Sequence, residues 1–135
     1  MRFRLALMQK VLDGWNALDP AQAASNYDKD PGDVFYDITP FQYTGWAEYD
    51  RGIRKALEGY SSFKIILGND AQAHERGSVA WTTATLHMKA VTKSGEKQAF
   101  DARWTLIWEQ RSSKWRIVHE HVSVPLKTDN NAKVP

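Results

Sequence analysis

The sequence predicts a single α+β domain, in which helices come first and pack over one face of a run of antiparallel strands. Apolar residues recur at helical spacing in the first 60 residues, and no helical period is found between residues 62 and 125. The second stretch instead carries strand-like runs separated by Gly, Asn, Asp and Ser. A chain of 135 residues with 42% hydrophobic and 25% charged residues can bury one core without disulfides. This order of elements indicates helices on one side of a bent sheet.

The first stretch contains three helical segments and one brief strand. The apolar stripe of the first helix comprises Leu7, Val11, Trp15 and Leu18. Asp19 and Pro20 end this helix, and a short second helix over residues 21–27 follows. A strand over residues 34–38 precedes the third helix, which begins after Gly45. The apolar face of this third helix comprises Trp46, Tyr49, Ile53 and Leu57.

The second stretch contains five candidate strands, over residues 62–67, 71–75, 78–91, 98–110 and 114–124. Turn-forming residues lie between consecutive runs, which favours antiparallel neighbours joined by hairpins. We therefore predict one domain over residues 1–127 and a polar C-terminal tail over residues 128–135.

Composition excludes several classes of function. The net charge is +2 and the 18 basic residues are dispersed, so no nucleic-acid partner is expected. The chain has no cysteine, which excludes disulfides, thiolate catalysis and cysteine-ligated zinc. The longest apolar run near the start, Leu5–Met8, is too short for a signal peptide, and no run approaches the roughly 18 residues of a membrane span. We expect a cytoplasmic protein without a membrane partner.

The last two strands form a hairpin with two chemically different faces. If Ser112 and Ser113 make a two-residue loop, Arg111 pairs with Lys114, and a uniform register follows from that pair. One face then holds Trp104, Leu106, Trp108, Trp115, Ile117, His119 and His121. The opposite face holds Arg103, Thr105, Ile107, Val118, Glu120 and Val122. Because the tryptophan face is too apolar to face water, we predict a homodimer that buries Trp104, Trp108 and Trp115 at its interface.

Two stretches, residues 34–53 and 102–125, resemble the SnoaL-like branch of the nuclear transport factor two-like superfamily. That superfamily also includes ketosteroid isomerase, scytalone dehydratase and the association domain of calmodulin-dependent kinase. The resemblance covers the chain from the first helix to Pro125 and implies a cone-shaped, cystatin-like fold with a deep pocket under the helices. It also implies that the face with Arg103, Thr105 and Glu120 lines the pocket, and that the tryptophan face forms the dimer. The fold alone does not identify a reaction.

The resemblance suggests two catalytic candidates. Asp37 lies close to the position of the general base of ketosteroid isomerase, and its alternative role is to hold the loop that follows it. Val11 and Thr105 stand where that enzyme's other catalytic groups are expected, which argues against a steroid isomerase. Arg103 aligns with an arginine of a carboxylate-binding pocket in the kinase association domain. It either anchors a ligand oxygen or forms a structural ion pair with Asp37 and Glu120.

Other side chains have weaker signals. Tyr43, Trp46 and Tyr49 either fill the core or line the mouth of a pocket for a flat organic ligand, and Thr105 and Glu120 are further candidates for ligand contact. His119 and His121 alternate on one strand, but no third ligand is spaced to complete a metal site, so we interpret them as interface or core residues.

Two functions from different classes are therefore compatible with the sequence. The first is a cofactor-independent acid–base enzyme of the isomerase, cyclase or dehydratase type, acting on a hydrophobic ligand with a carbonyl or carboxylate group. The second is a non-catalytic homodimeric module for ligand sensing or association. A cavity of about 300 Å³ or more that joins Asp37 and Arg103 would favour the enzyme. A pocket filled by Trp46 and Tyr49 would favour the second function. No phosphate-binding loop, nucleophile elbow or dinucleotide fingerprint is present.

Overall fold

The computed structural model describes residues 2–126, which form helices packed over one curved, mixed sheet. The helices are α1 (Ala6–Asn16), α2 (Pro20–Ala24) and α3 (Trp46–Leu57). The strands are β1 (Val34–Tyr36), β2 (Tyr43–Thr44), β3 (Tyr60–Leu67), β4 (Gln72–Arg76), β5 (Val79–Thr92), β6 (Lys97–Arg111) and β7 (Lys114–Ser123). The strand order is β2-β1-β7-β6-β5-β3, with β4 paired to β5. The predicted α+β order is confirmed, and the predicted tail over residues 128–135 lies outside the described residues.

The helices follow from local sequence signals. The buried stripe of α1 is close to the predicted one and comprises Met8, Val11, Leu12 and Trp15. Asp19 begins α2, because its Oδ1 accepts a hydrogen bond from the Ala21 N–H at 3.0 Å and Pro20 fits the first turn. α3 begins after Gly45, whose φ of 78° is in the region that favours glycine. Short β2, just before it, was not predicted.

The packing of α1 on α2 depends on Gly14. A Cβ atom at this position would lie 2.8 Å from the Ala23 Cα and 2.9 Å from the Ala23 nitrogen, which are backbone atoms. We expect Gly14→Ala to lower the free energy of unfolding by about 1–3 kcal/mol, although alanine favours helices, because overpacking forces the two helices apart. The control is Gly59→Ala, whose Cβ would lie 3.7 Å from its nearest neighbour, the Ala56 oxygen. Urea midpoints measure both, and equal midpoints would contradict the expected clash.

The sheet is mixed rather than wholly antiparallel, because β1 runs parallel to β7. Val34 pairs with His119 and Phe35 pairs with Glu120, whereas β1 and β2 pair antiparallel. The prediction of antiparallel strands concerned the second stretch, and it is correct there, because all pairs formed among β3 to β7 are antiparallel. The direction of β1 was not predicted, because no hairpin joins this strand to β7 and turn signals therefore do not indicate it.

The register of the β6–β7 hairpin changes part-way along the strands. The pairs from Arg111–Lys114 to Trp108–Ile117 are as predicted. Beyond them the register shifts by one residue at Val118, so that Leu106 pairs with Glu120 instead of His119. A bulge of this kind sends all later side chains of one strand to the opposite face. Glu120 and Val122 therefore share the face of the tryptophans, and His119 and His121 lie on the other face.

The predicted interface on the tryptophan face is wrong. Trp104, Trp108 and Trp115 are only 2%, 1% and 6% exposed, and they share one core with α1 and α3. The chain's own helices, together with Phe3 just before α1, therefore cover this face, which leaves no surface there for a second subunit. A homodimer stays a prediction, and it would need another surface.

Candidate functional site

A cavity of about 220 Å³ lies between the helices and the inner face of the sheet. Its aromatic lining comprises Trp15, Tyr49, Tyr60, Phe63, Phe100 and Trp104. Aliphatic residues of α1, α3, β3 and β5 complete most of the wall, and its charged side chains are Asp37 and Glu120. The cavity is thus an apolar space with two carboxyl groups. Its volume is smaller than the about 300 Å³ that would favour an enzyme.

Glu120 lies in the wall of this cavity and is only 2% exposed. Its Oε1 accepts hydrogen bonds from the hydroxyl groups of Tyr27 at 2.9 Å and Tyr49 at 2.5 Å. Its Oε2 accepts a hydrogen bond from the Trp104 indole Nε1 at 2.7 Å. Three donors from α3, from β6 and from the segment between α2 and β1 therefore hold one buried carboxyl group in a fixed orientation.

Burial raises the pKa of Glu120 to about 7. The hydrogen bonds from Tyr49, Trp104 and Tyr27 oppose this shift because they stabilise the carboxylate, and the nearby Asp37 adds to it. A carboxyl group with a pKa close to neutral pH can both release and accept a proton under ordinary conditions, as a general acid or base must.

A further aromatic residue, Trp15, orients the network around Glu120. The Trp15 indole Nε1 donates to the Tyr27 hydroxyl oxygen at 3.2 Å, so the hydrogen of this hydroxyl is free to point at Glu120. Burial, and then the charge of Glu120, raise the pKa values of Tyr27 and Tyr49 well above their ordinary value. Both tyrosines therefore stay protonated and act as donors. Tyr27 was not identified from the sequence, because no motif marks a tyrosine in the segment that follows a short helix.

Asp37 follows β1 and lines the same cavity. Phe35 pairs with Glu120 across the β1–β7 ladder, and Asp37 lies two residues beyond Phe35, on the same face. The Oδ1 of Asp37 accepts a hydrogen bond from the Ile38 N–H at 2.7 Å. Burial raises the pKa of this carboxyl group, which the Ile38 hydrogen bond opposes. No residue within 2–126 donates a hydrogen bond to Oδ2, so this oxygen can meet a ligand.

Arg103 and Thr105 do not reach the cavity. Both lie on the outer face of β6, where Arg103 is exposed and its Nε donates to the Ser123 Oγ at 3.0 Å. The predicted ion pair of Arg103 with Asp37 and Glu120 therefore does not form. The prediction failed because it turned the wrong face of β6 inward and kept Glu120 on the face of Arg103, whereas the bulge at Val118 separates them.

The three aromatic candidates after Asp37 have different positions. Tyr49 lines the cavity and contacts Glu120. Tyr43 stacks on Tyr49 with ring centroids 5.1 Å apart, and Trp46 stacks on Tyr27 at 4.7 Å, so both support the wall from behind. Both residues are buried. Neither Tyr43 nor Trp46 lines the cavity, and neither fills it.

The two histidines of β7 lie on the outer face, on either side of Tyr36, with ring centroids 5.2 Å from the Tyr36 ring. The Nδ1 of His119 is 2.6 Å from the Val34 carbonyl oxygen, so this ring is held by the backbone of β1. Within residues 2–126, no three His, Asp or Glu side chains converge as a metal site would require.

The family of SnoaL-like domains matches residues 6–127. The chain belongs to this family. No curated protein matches this SnoaL-like chain. None of its helices within residues 2–126 is long and apolar enough to cross a membrane.

Solved structures show the same fold as this SnoaL-like domain. A nuclear transport factor two-like superfamily protein from Salmonella enterica serovar Typhimurium is 22% identical, with a TM-score of 0.82 over 94% of this chain and 92% of its own. A candidate dehydratase of the same superfamily from Streptomyces avermitilis is 14% identical, with a TM-score of 0.77 over 88% and 92%. A candidate scytalone dehydratase from Novosphingobium aromaticivorans is 8% identical, with a TM-score of 0.78 over 90% and 80%. The predicted cone-shaped α+β fold is confirmed.

Proposed function

We propose that this SnoaL-like domain binds a small organic molecule and acts on it as a cofactor-independent acid–base enzyme. The observation that carries this proposal is the buried Glu120, held by three donors in the wall of an apolar cavity that also contains Asp37. Burial raises the pKa of both carboxyl groups, and the charge of Asp37 adds to the shift at Glu120, so that Glu120 can keep its proton while Asp37 accepts one.

The chemistry that fits this pair is proton transfer next to a carbonyl group. Asp37 has a free oxygen, so we assign it the role of base: it takes the proton as the C–H bond breaks. The electron pair of that bond moves to the carbonyl oxygen, and protonated Glu120 stabilises the resulting enolate by a hydrogen bond. Return of the proton from Asp37 to the same or a conjugated carbon completes an exchange or an isomerisation. The resemblance to candidate dehydratases supports this class of reaction.

The second candidate function is ligand sensing without catalysis. The observation that favours it is the cavity volume of about 220 Å³, which is below the usual range for a small-molecule site of about 300–1,000 Å³. Under this alternative the two carboxyl groups only orient the ligand, and the same experiment separates the two functions.

The test is the exchange of α-hydrogens for deuterium in single-ring ketones, followed by NMR in heavy water. We expect Asp37→Asn and Glu120→Gln each to lower the exchange rate at least about 100-fold, because each removes one group that carries a proton. Arg103→Gln on the outer face is the matched control and should leave the rate unchanged. Ketone binding without exchange by the native protein would favour the sensing module. Exchange that survives Glu120→Gln would contradict the role given to Glu120.

A further inference from the structure

We infer that the cavity takes an uncharged, single-ring compound whose carbonyl or hydroxyl oxygen meets Asp37 and Glu120. This inference rests on the proposed function for the position of the polar group. It narrows the ligand class in two respects, because it excludes both carboxylates and fused-ring compounds. Three properties of the cavity carry it: its volume, the charges in its wall and the separation of its polar and apolar ends.

The volume limits the ligand to about one ring. An apolar cavity of about 150 Å³ in another protein holds benzene. Benzene has six non-hydrogen atoms. At the same cavity volume per atom, the 220 Å³ found here accommodates about nine non-hydrogen atoms, which is one ring with a short substituent. A ketone with two fused rings, such as 2-acetylnaphthalene, has about 13 non-hydrogen atoms and would require the helices to move away from the sheet.

The charges in the wall exclude an anionic ligand. No lysine, arginine or histidine among the described residues lines the cavity, and Arg103 lies on the opposite face of the sheet. A bound carboxylate would bring a further negative charge next to Asp37 and Glu120 without any counter-charge, in a space with little water to screen it. A carboxylate ligand anchored by Arg103, which the sequence suggested, therefore does not fit this cavity.

A cationic ligand is also disfavoured, though for a different reason. Glu120 already accepts three hydrogen bonds, so it has little capacity left for an ammonium group. The pKa of Glu120 is about 7 and that of Asp37 is raised, so the pair carries less than its full charge at neutral pH. The attraction left for a cation is then small compared with the cost of removing that cation from water.

The polar and apolar parts of the wall are separated. Glu120 comes from β7, and Asp37 directly follows the neighbouring strand β1, so both lie at one side of the cavity. Phe63, Met88 and Phe100 come from β3, β5 and β6, further along the sheet. A ligand with an oxygen at one end and a ring at the other matches this arrangement, since each end meets groups of its own polarity.

The experiment compares three single-ring probes of similar size and one fused-ring probe by titration calorimetry at neutral pH. Acetophenone is the uncharged single-ring probe, benzoate the anion, benzylamine the cation and 2-acetylnaphthalene the fused-ring ketone. We expect acetophenone to bind with a Kd below about 1 mM and at least about 10-fold more tightly than each of the others. Tighter binding of benzoate or benzylamine would overturn the inference about charge, and tighter binding of 2-acetylnaphthalene would overturn that about size. Failure of all four to bind would overturn both.

A pair of variants shows whether the binding is in this cavity. Ala56 lies on α3 at the solvent-exposed edge of the cavity wall, so Ala56→Phe can place a ring in the space without disturbing the core. We expect it to weaken acetophenone binding at least about 10-fold. The matched change Ala99→Phe, at an exposed position of β6 outside the cavity, should leave the Kd unchanged. Equal effects of the two changes would overturn the assignment to this cavity.

The outcome is separate from that of the exchange experiment. Tight and selective binding of acetophenone without hydrogen exchange would contradict the proposed enzyme and leave the ligand class intact. Hydrogen exchange in ketones together with tighter binding of 2-acetylnaphthalene would support the proposed enzyme and contradict the inferred size of the ligand.

Discussion

Replacing Glu120 by leucine is expected to lower the free energy of unfolding by about 3–5 kcal/mol at neutral pH. Leucine offers no acceptor to Tyr27, Tyr49 and Trp104, whose donors all point at the carboxyl group. Each buried donor without a partner costs about 1–3 kcal/mol, and relief of the burial of the carboxyl group offsets part of the sum. Urea denaturation followed by tryptophan fluorescence measures the loss.

The control for this prediction is Glu120→Gln. The amide oxygen can accept from Trp104, and the amide nitrogen can donate to the hydroxyl oxygens of Tyr27 and Tyr49, since a hydroxyl is both a donor and an acceptor. We therefore expect this variant to lose no more than about 1–2 kcal/mol. Equal losses for the two variants would mean that the three hydrogen bonds do not stabilise the fold.

The stability of the native protein is expected to fall as the pH rises from about 5 to about 8. The pKa of Glu120 is raised from 4.5 to about 7 by folding, so the folded state binds a proton that the unfolded state has released in this range. The stabilisation is complete below the unfolded pKa and is lost as the pH passes the folded pKa. For Glu120 alone, the loss of folding free energy amounts to about 2.5 kcal/mol between about pH 5 and about pH 8.

Asp33 adds to this pH dependence, because its pKa is also raised to about 7. Burial is the largest cause, and the hydrogen bond with Asp28 and the charge of Asp28 are the next. Its contribution should be smaller than that of Glu120, because Asp33 is partly exposed and water screens its interactions. Glu120→Gln should therefore remove most of the slope and Asp33→Asn a minor part. A slope that is unchanged in Glu120→Gln would show that Glu120 titrates at an ordinary pKa in the folded protein.

Most of the fold could be predicted from the sequence because its signals are local. The apolar spacing of Val11 and Trp15 indicates a helix, and Ser112 and Ser113 occupy the turn at the start of the β6–β7 pairing. The bulge at Val118 has no such signal. Apolar and polar residues alternate both before and after the extra residue. A uniform register therefore also gives one apolar and one polar face, and the sequence does not reveal the shift of register.

The candidate site could be predicted only in part for the same reason. Asp37 and Glu120 were both identified, and both line the cavity. Arg103 and Thr105 were grouped with Glu120 through the uniform register, and they lie on the other face. The hydrogen bond from Trp104 to Glu120 could not be foreseen, because that register placed the two residues on opposite faces of the hairpin.

The pairing of β1 with β7 has a consequence for the time at which the protein can fold during synthesis. Val34 finds its partner only when the ribosome has released His119, so Asp37 and Glu120 cannot meet until nearly all of the domain has been made. Until then, β1 has only β2 as a partner, and its other edge is open to neighbouring nascent chains. Three aspartates, Asp28, Asp30 and Asp33, immediately precede it, and their mutual repulsion between chains opposes such association. The acidic turn thus protects the first strand of the nascent chain while its partner is being synthesised.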